Sequence, residues 1–186
     1  MKNYRLFPIL IIACFLLVCS PASFGQGAGR ETTNTSSTNK PSPKATAWTK
    51  KEPPTFADFP ARVTKATARQ INFSSHPKAR QFRTQLRESL SEVVDFAGRY
   101  IVATWGCGTD CEQSAIIDGK TGNVFFPKQL QGTSLGTVDA DEVLEYKENS
   151  RLLIINGSPA GPDRKYGIWY YEWTGTTLEL LKYVKN

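Results

Sequence analysis

The hydrophobic pattern of the chain changes period at Gly98. Upstream, the stretch "SSHPKARQFRTQLRESLSEVVDFAG" spaces Phe82, Leu86, Leu90 and Val93 by four, four and three residues, which is one face of an α-helix. Pro77 suits the first turn after Ser75 or His76, and Gly98 lies beyond the end, so the spacing predicts a helix over about 77–94. Downstream, apolar residues come in short β-branched or aromatic runs: "RYIVATW", "QSAIID", "NVFF", "VLEYK", "RLLIIN", "YGIWYYEW" and "TLELLKYV". Turn-rich segments such as "DGKTG", "KENS", "GSPAGPDRK" and "TGT" divide them. About seven strands on short connections predict an antiparallel β-meander, as a sheet or small open barrel, with one packed amphipathic helix, so the class is α+β. The segments "AIIDGKTGNVFF" and "YYEWTGTTLEL" resemble pieces of propeller blades, but blades of about 40 residues each do not fit four times into this length.

The same patterning divides the chain. Lys2 and Arg5 precede an almost unbroken apolar run from Leu6 to Val18, and "SPASFGQG" offers small residues at Ser23 and Gly25. This predicts a secretory signal peptide over 1–25, cut before Gln26. The run is too short to cross a hydrocarbon core of about 30 Å, and nothing later is long and apolar enough, so no transmembrane segment is expected in the mature chain. A lipid anchor fits less well, because Val18 is a poor neighbour for Cys19, and Cys14 after Ala13 leaves a very short signal. Residues 26–55 are rich in Ser, Thr, Asn, Pro and Lys, with Trp48 their one large apolar side chain. Such a stretch buries too little apolar surface to offset its ordering entropy and reads as a disordered spacer. Residues 56–186 form the expected single domain. The predicted location is the periplasm or the extracellular space.

Charge changes the picture once the segments are separated. The whole chain carries +6, but residues 56–186 hold 16 basic and 15 acidic residues, a net +1. The basic character therefore lies largely outside the folded part and is no argument for nucleic acid. Inside the domain, residues 62–87 carry seven positive charges and no negative one, with Arg80, Arg83 and Arg87 beside the apolar stripe of the helix. That is either a solvated face or an anion-facing surface.

Four cysteines are present, and only Cys107 and Cys111 outlast signal removal. In an oxidising compartment they are expected to bond to each other across the tip between two strands, with Gly106 and Gly108 supplying the dihedrals that a small ring demands. Other uses of the pair lack a part. A thioredoxin-type site wants C-x-x-C at a helix start, a structural zinc wants four soft ligands where His76 is the one histidine, and a cysteine nucleophile wants a base beside it. There is no G-x-S-x-G elbow, phosphate loop or H-E-x-x-H helix. Asp139, Asp141 and Glu142 lack the glycine and distal glutamate of an EF-hand. A carboxylate pair for glycoside cleavage, from Asp110, Glu112, Asp118 or Glu172, needs a separation that spacing does not supply. No catalytic set, metal or cofactor is assigned.

Candidate binding residues remain. In "YGIWYYEW" alternation puts Trp169, Tyr171 and Trp173 on one face, a core face or an exposed platform able to stack on sugars or grip a partner. Trp105, Thr109 and Asp110 flank or form the cysteine tip, and Arg80, Arg83 and Arg87 form the basic stripe.

"FAGRYIVATWGCGTDC", then "AIIDGKTGNVF" and "SRLLIING", resemble a family of uncharacterised exported bacterial proteins with an F-A-G-x-Y, T-W-G-C-G-T-x-C and I-D-x-x-T-G signature. The resemblance spans about 56–186 and implies a bacterial envelope protein, with no reaction attached. The family pattern commonly has Gln after the second cysteine, where this chain has Glu112, so no role is carried over to that amide. The expected function is a non-enzymatic module that binds an envelope protein, peptide or glycan, with inhibition of a cell-wall hydrolase as one version. The alternative is an enzyme acting through Cys107 or an acidic site near the 106–112 loop.

Overall fold

The computed structural model describes residues 52–90, 93–136, 138–162 and 164–185. The expected signal peptide, and the expected spacer up to residue 51, lie outside them. Among the described residues no helix is long and apolar enough to cross a membrane.

The strand runs fold into two four-stranded antiparallel sheets. The first holds β1 (Tyr100–Gly108) and β2 (Cys111–Asp118), with β3 (Val124–Phe125) and β4 (Gln131–Thr133) both paired to β2. The second runs in chain order through β5 (Leu144–Tyr146), β6 (Leu152–Gly157), β7 (Gly167–Trp173) and β8 (Leu178–Lys185). The class is α+β, but the expected single meander or barrel is replaced by two separate sheets. The "NVFF" run stops because Pro127, which cannot donate to a ladder, turns the chain into a short 3-10 segment, Lys128–Leu130. That turn sends the backbone back along β2 as β4, a strand too short and polar to show in the hydrophobic pattern.

Alternation then decides the layers. Tyr100, Val102 and Ile116 point from the first sheet toward Leu153, Ile155, Tyr171 and Trp173 of the second, forming the largest core cluster. Ile101, Ala103, Ala115 and Ile117 point the other way, against Ala79 and Leu86 of the helical layer. On the far side of the second sheet, Leu152, Ile154 and Tyr170 lie under Phe59, with Phe56 beside them. Strands covered on both faces read as continuous apolar runs, which is why "RLLIIN" and "YIVA" do not alternate.

The helix is shorter than the expected 77–94. A 3-10 turn, Pro77–Arg80, leads into α1 (Arg83–Leu90). His76 caps the 3-10 turn, its Nδ1 accepting from the Lys78 amide at 3.1 Å. Leu86 is fully buried and Phe82 and Leu90 partly so, but Val93 is 81% exposed and Val94 takes the inward place. Here the chain has left helical geometry: Asp95 and Phe96 pair with Tyr100, and the Asp95 carboxylate accepts from the Val102 amide at 3.1 Å.

Residues 56–74 strap one end of the two sheets. The Ser150 hydroxyl shares its one proton between the carbonyls of Phe56, at 2.8 Å, and Phe59, at 3.1 Å, and Arg151 N donates to that of Phe59. Thr64 N then reaches Gly98 O, Thr67 N and Ala68 N reach Gly119 O, and Asn72 N reaches Gly122 O.

Candidate functional site

The β1–β2 hairpin ends in the cysteine pair. Cys107 and Cys111 form a disulfide, with Cα atoms 5.2 Å apart. Every residue from Gly106 to Asp110 is exposed. A Cβ built on Gly106 or Gly108 would meet nothing within 4 Å, so the tip stands clear of the body. Gly108 has φ +144, open to glycine but strained for other residues, and Asp110 has φ +47, a left-handed value that Asp tolerates better than most side chains.

A second fastener joins the tip to the body. The Asp110 carboxylate accepts from the Ser134 hydroxyl at 2.5 Å and from the Gly136 amide at 3.4 Å. The Ser134 hydrogen bond first, then that of Gly136, holds this carboxyl below its ordinary range, with Arg164 adding a smaller pull. Ser134 also meets the Tyr166 phenol, which lies beside Arg164. A hydroxyl has one proton to give, and Ser134 gives it to the Asp110 carboxylate. Ser134 in turn exchanges both backbone hydrogen bonds with Ser158, an isolated bridge between the ends of the two sheets. The tip is thus fixed by a covalent ring and by a chain of hydrogen bonds reaching residue 158.

Several of the chemistries weighed for this site meet side chains that are already engaged. Both sulfurs are bonded to each other, so Cys107 offers no thiolate, and the Nδ1 of His76 is occupied by the Lys78 amide. Asp110 and Asp118 lie at opposite ends of β2, roughly 25 Å apart at ~3.3 Å per residue, far beyond the reach of a glycosidase pair. Asp118 and Glu172 are each held by an arginine, Arg99 and Arg151, at 3.1 Å.

The remaining candidates separate. Trp105 is partly buried between α1 and Phe126, its ring 4.8 Å from Phe82, and its indole N–H has no partner among the described residues. Trp169 is partly buried, stacks on Tyr183 at 4.3 Å and points its N–H at the carbonyls of Gly157 and Lys165. Tyr171 and Trp173 are 3% and 1% exposed in the core between the sheets, and burial pushes the Tyr171 phenol up to about 12. Of the two readings of this face, a core or an exposed platform, Tyr171 and Trp173 take the core: the second sheet is covered by the first, and their side chains fill the gap. Trp173 meets Tyr100 and Phe125 edge-to-face at 5.4 Å each, and its buried indole N–H has no partner among the described residues.

Arg80, Arg83 and Arg87 are exposed; they belong to the helical layer on the first sheet, whereas Trp169 lies in β7 of the second. Arg87, its guanidinium 5.2 Å from the Phe73 ring centre, joins Arg69 in lining an open cleft of about 840 Å³ between α1 and the strap. Sequence reasoning missed Ser134, Gly136, Arg164 and Tyr166. They lie 24 or more residues beyond Asp110 and meet it through the bridge between the sheets, which no local pattern announces. No protein-family model, curated protein or solved structure matches this chain.

Proposed function

We propose that the chain is an exported bacterial envelope protein whose folded domain binds a protein or peptide partner through the hairpin tip Gly106–Asp110. One observation carries the reading: the tip is exposed at every residue and yet fastened twice, by the Cys107–Cys111 bond and by the Asp110–Ser134 hydrogen bond. A loop that needs only to connect two strands requires neither fastener. A loop that enters a partner's cleft gains from both, because ordering each side chain on binding otherwise costs about 0.5–1.5 kcal/mol. Thr109 is the residue such a partner meets first, flanked by Gly108 and Asp110 at the turn. The signal-peptide pattern at the N-terminus and the exported family that the W-G-C-G-T-x-C element resembles support the envelope assignment. A hydrolase inhibitor that plugs an active-site cleft with a rigid turn is the version closest to this geometry.

The reading is tested by capture from envelope extract with the mature protein as bait. The wild type is expected to retain a discrete partner that Thr109→Arg loses while keeping its thermal midpoint. An empty capture, or the same retained proteins with Thr109→Arg, counts against it.

A further inference from the structure

At the end of the sheets away from the tip, three arginines from separate parts of the chain line one cleft of about 480 Å³: Arg62 in the strap, Arg99 before β1 and Arg151 before β6. Tyr100 and the β7–β8 turn residues Thr174 and Thr176 complete its polar wall, and no Asp or Glu lines it. The size is that of a small-ligand site, which runs from about 300 to 1,000 Å³.

Two of the arginines are held by carboxylates that are not part of the lining. Arg99 Nη2 lies 3.1 Å from Asp118 Oδ2 and donates to the Tyr100 hydroxyl at 3.2 Å; the Asp118 side chain is 5% exposed, and its Oδ1 accepts from the Lys120 amide at 2.9 Å. Arg151 gives Nε and Nη2 to Glu172 Oε1, both at 3.1 Å, and Nη1 to the Pro60 carbonyl. A guanidinium carries more N–H donors than these partners take up, so both arginines keep donors in fixed orientation. Arg62 has no ion pair among the described residues. Its backbone is nonetheless placed: Gly98, at φ +84, leaves room where a Cβ would stand 2.3 Å from the Arg62 carbonyl oxygen, and Thr64 hydrogen-bonds Gly98 O. The cleft thus gathers two held cations, one cation without an ion pair among the described residues and a wall of hydroxyls.

We propose that the Arg62, Arg99 and Arg151 cleft binds a small polar ligand bearing an oxyanion, a carboxylate or a phosphate, of about the size of an acidic sugar. Guanidinium forks suit both oxyanions, and the hydroxyls of Tyr100, Thr174 and Thr176 suit the ligand's own. This is independent of partner binding at the tip, which lies roughly 25 Å away along β1 at ~3.3 Å per residue.

The test is titration of the mature protein with glucuronate, glucose 6-phosphate and glucose, followed by amide chemical shifts. At least one anion is expected to saturate, with shifts at residues 62, 99 and 174–176, while glucose does not; which anion binds more tightly identifies the source of the charge. Arg62→Gln removes no ion pair, so the fold is retained, and it is expected to weaken binding about tenfold or more, with Arg62→Lys in between. Thr109→Arg and Arg69→Gln are expected to leave the affinity unchanged. No saturable binding of either anion, equal binding of glucose, an Arg62→Gln affinity equal to wild type, or loss of binding on Arg69→Gln overturns the proposal.

Discussion

Gly106 and Gly108 flank the same cysteine and look alike in the sequence, yet they ask different things of the backbone. A methyl group at either position finds open space, but only Gly108 sits at positive φ. Gly106→Ala is therefore expected to leave the urea midpoint unchanged, whereas Gly108→Ala is expected to lower stability by about 1–2 kcal/mol. Asp110 carries the second fastener, and its charged form is the one that Ser134 and Gly136 stabilise. A carboxyl with a lowered native value contributes stability above its ordinary ~3.9 and loses that contribution as the pH falls through the native value. A carboxyl-carbon NMR titration is expected to give Asp110 a midpoint below ~3.9, rising toward it in Ser134→Ala. A wild-type midpoint at the ordinary value would mean that the hydrogen bond does not hold the tip in solution.

Among the elements, the disulfide and α1 give contrasting tests. The ring closes over a sequence separation of 4, so the chain-entropy relation assigns it about 2 kcal/mol. Cys107→Ser with Cys111→Ser is expected to soften the domain by about that much without collapse. Trp105, in β1 two residues from Cys107, reports the change in fluorescence. On the helix, one apolar stripe was legible as Phe82, Leu86, Leu90 and Val93, and Pro77 marked the start, with the choice between Ser75 and His76 as the preceding cap left to the structure, which takes His76. The end of the stripe was not. Val93 lies where the chain must extend to let Asp95 and Phe96 pair with Tyr100, and that demand comes from β1 rather than from helical spacing. Leu86→Ala, at a fully buried site, is expected to cost about 2–5 kcal/mol, and Val93→Ala, at an 81% exposed one, nearly nothing. Equal losses in urea unfolding would restore the longer helix.

For the whole molecule, the seven runs that read as strands all lie in sheets, because the β-branched and aromatic residues that mark them are also those that fill the three cores. Their division into two sheets was not legible. It depends on Pro127 breaking "NVFF" and on the polar "QGT" serving as β4, neither of which carries a hydrophobic signal. The same division buried Tyr171 and Trp173, since alternation says which residues share a face and not what covers it. The cysteine pair was legible because spacing and flanking glycines act within a few residues. The binding reading now rests on that tip. Its most direct measurement is photo-crosslinking in the intact envelope from a reactive side chain at position 109, with position 93, also exposed, as the control. Partner binding at the tip predicts a discrete adduct from position 109 that is absent from position 93. No adduct from 109, or the same adducts from both positions, would contradict it.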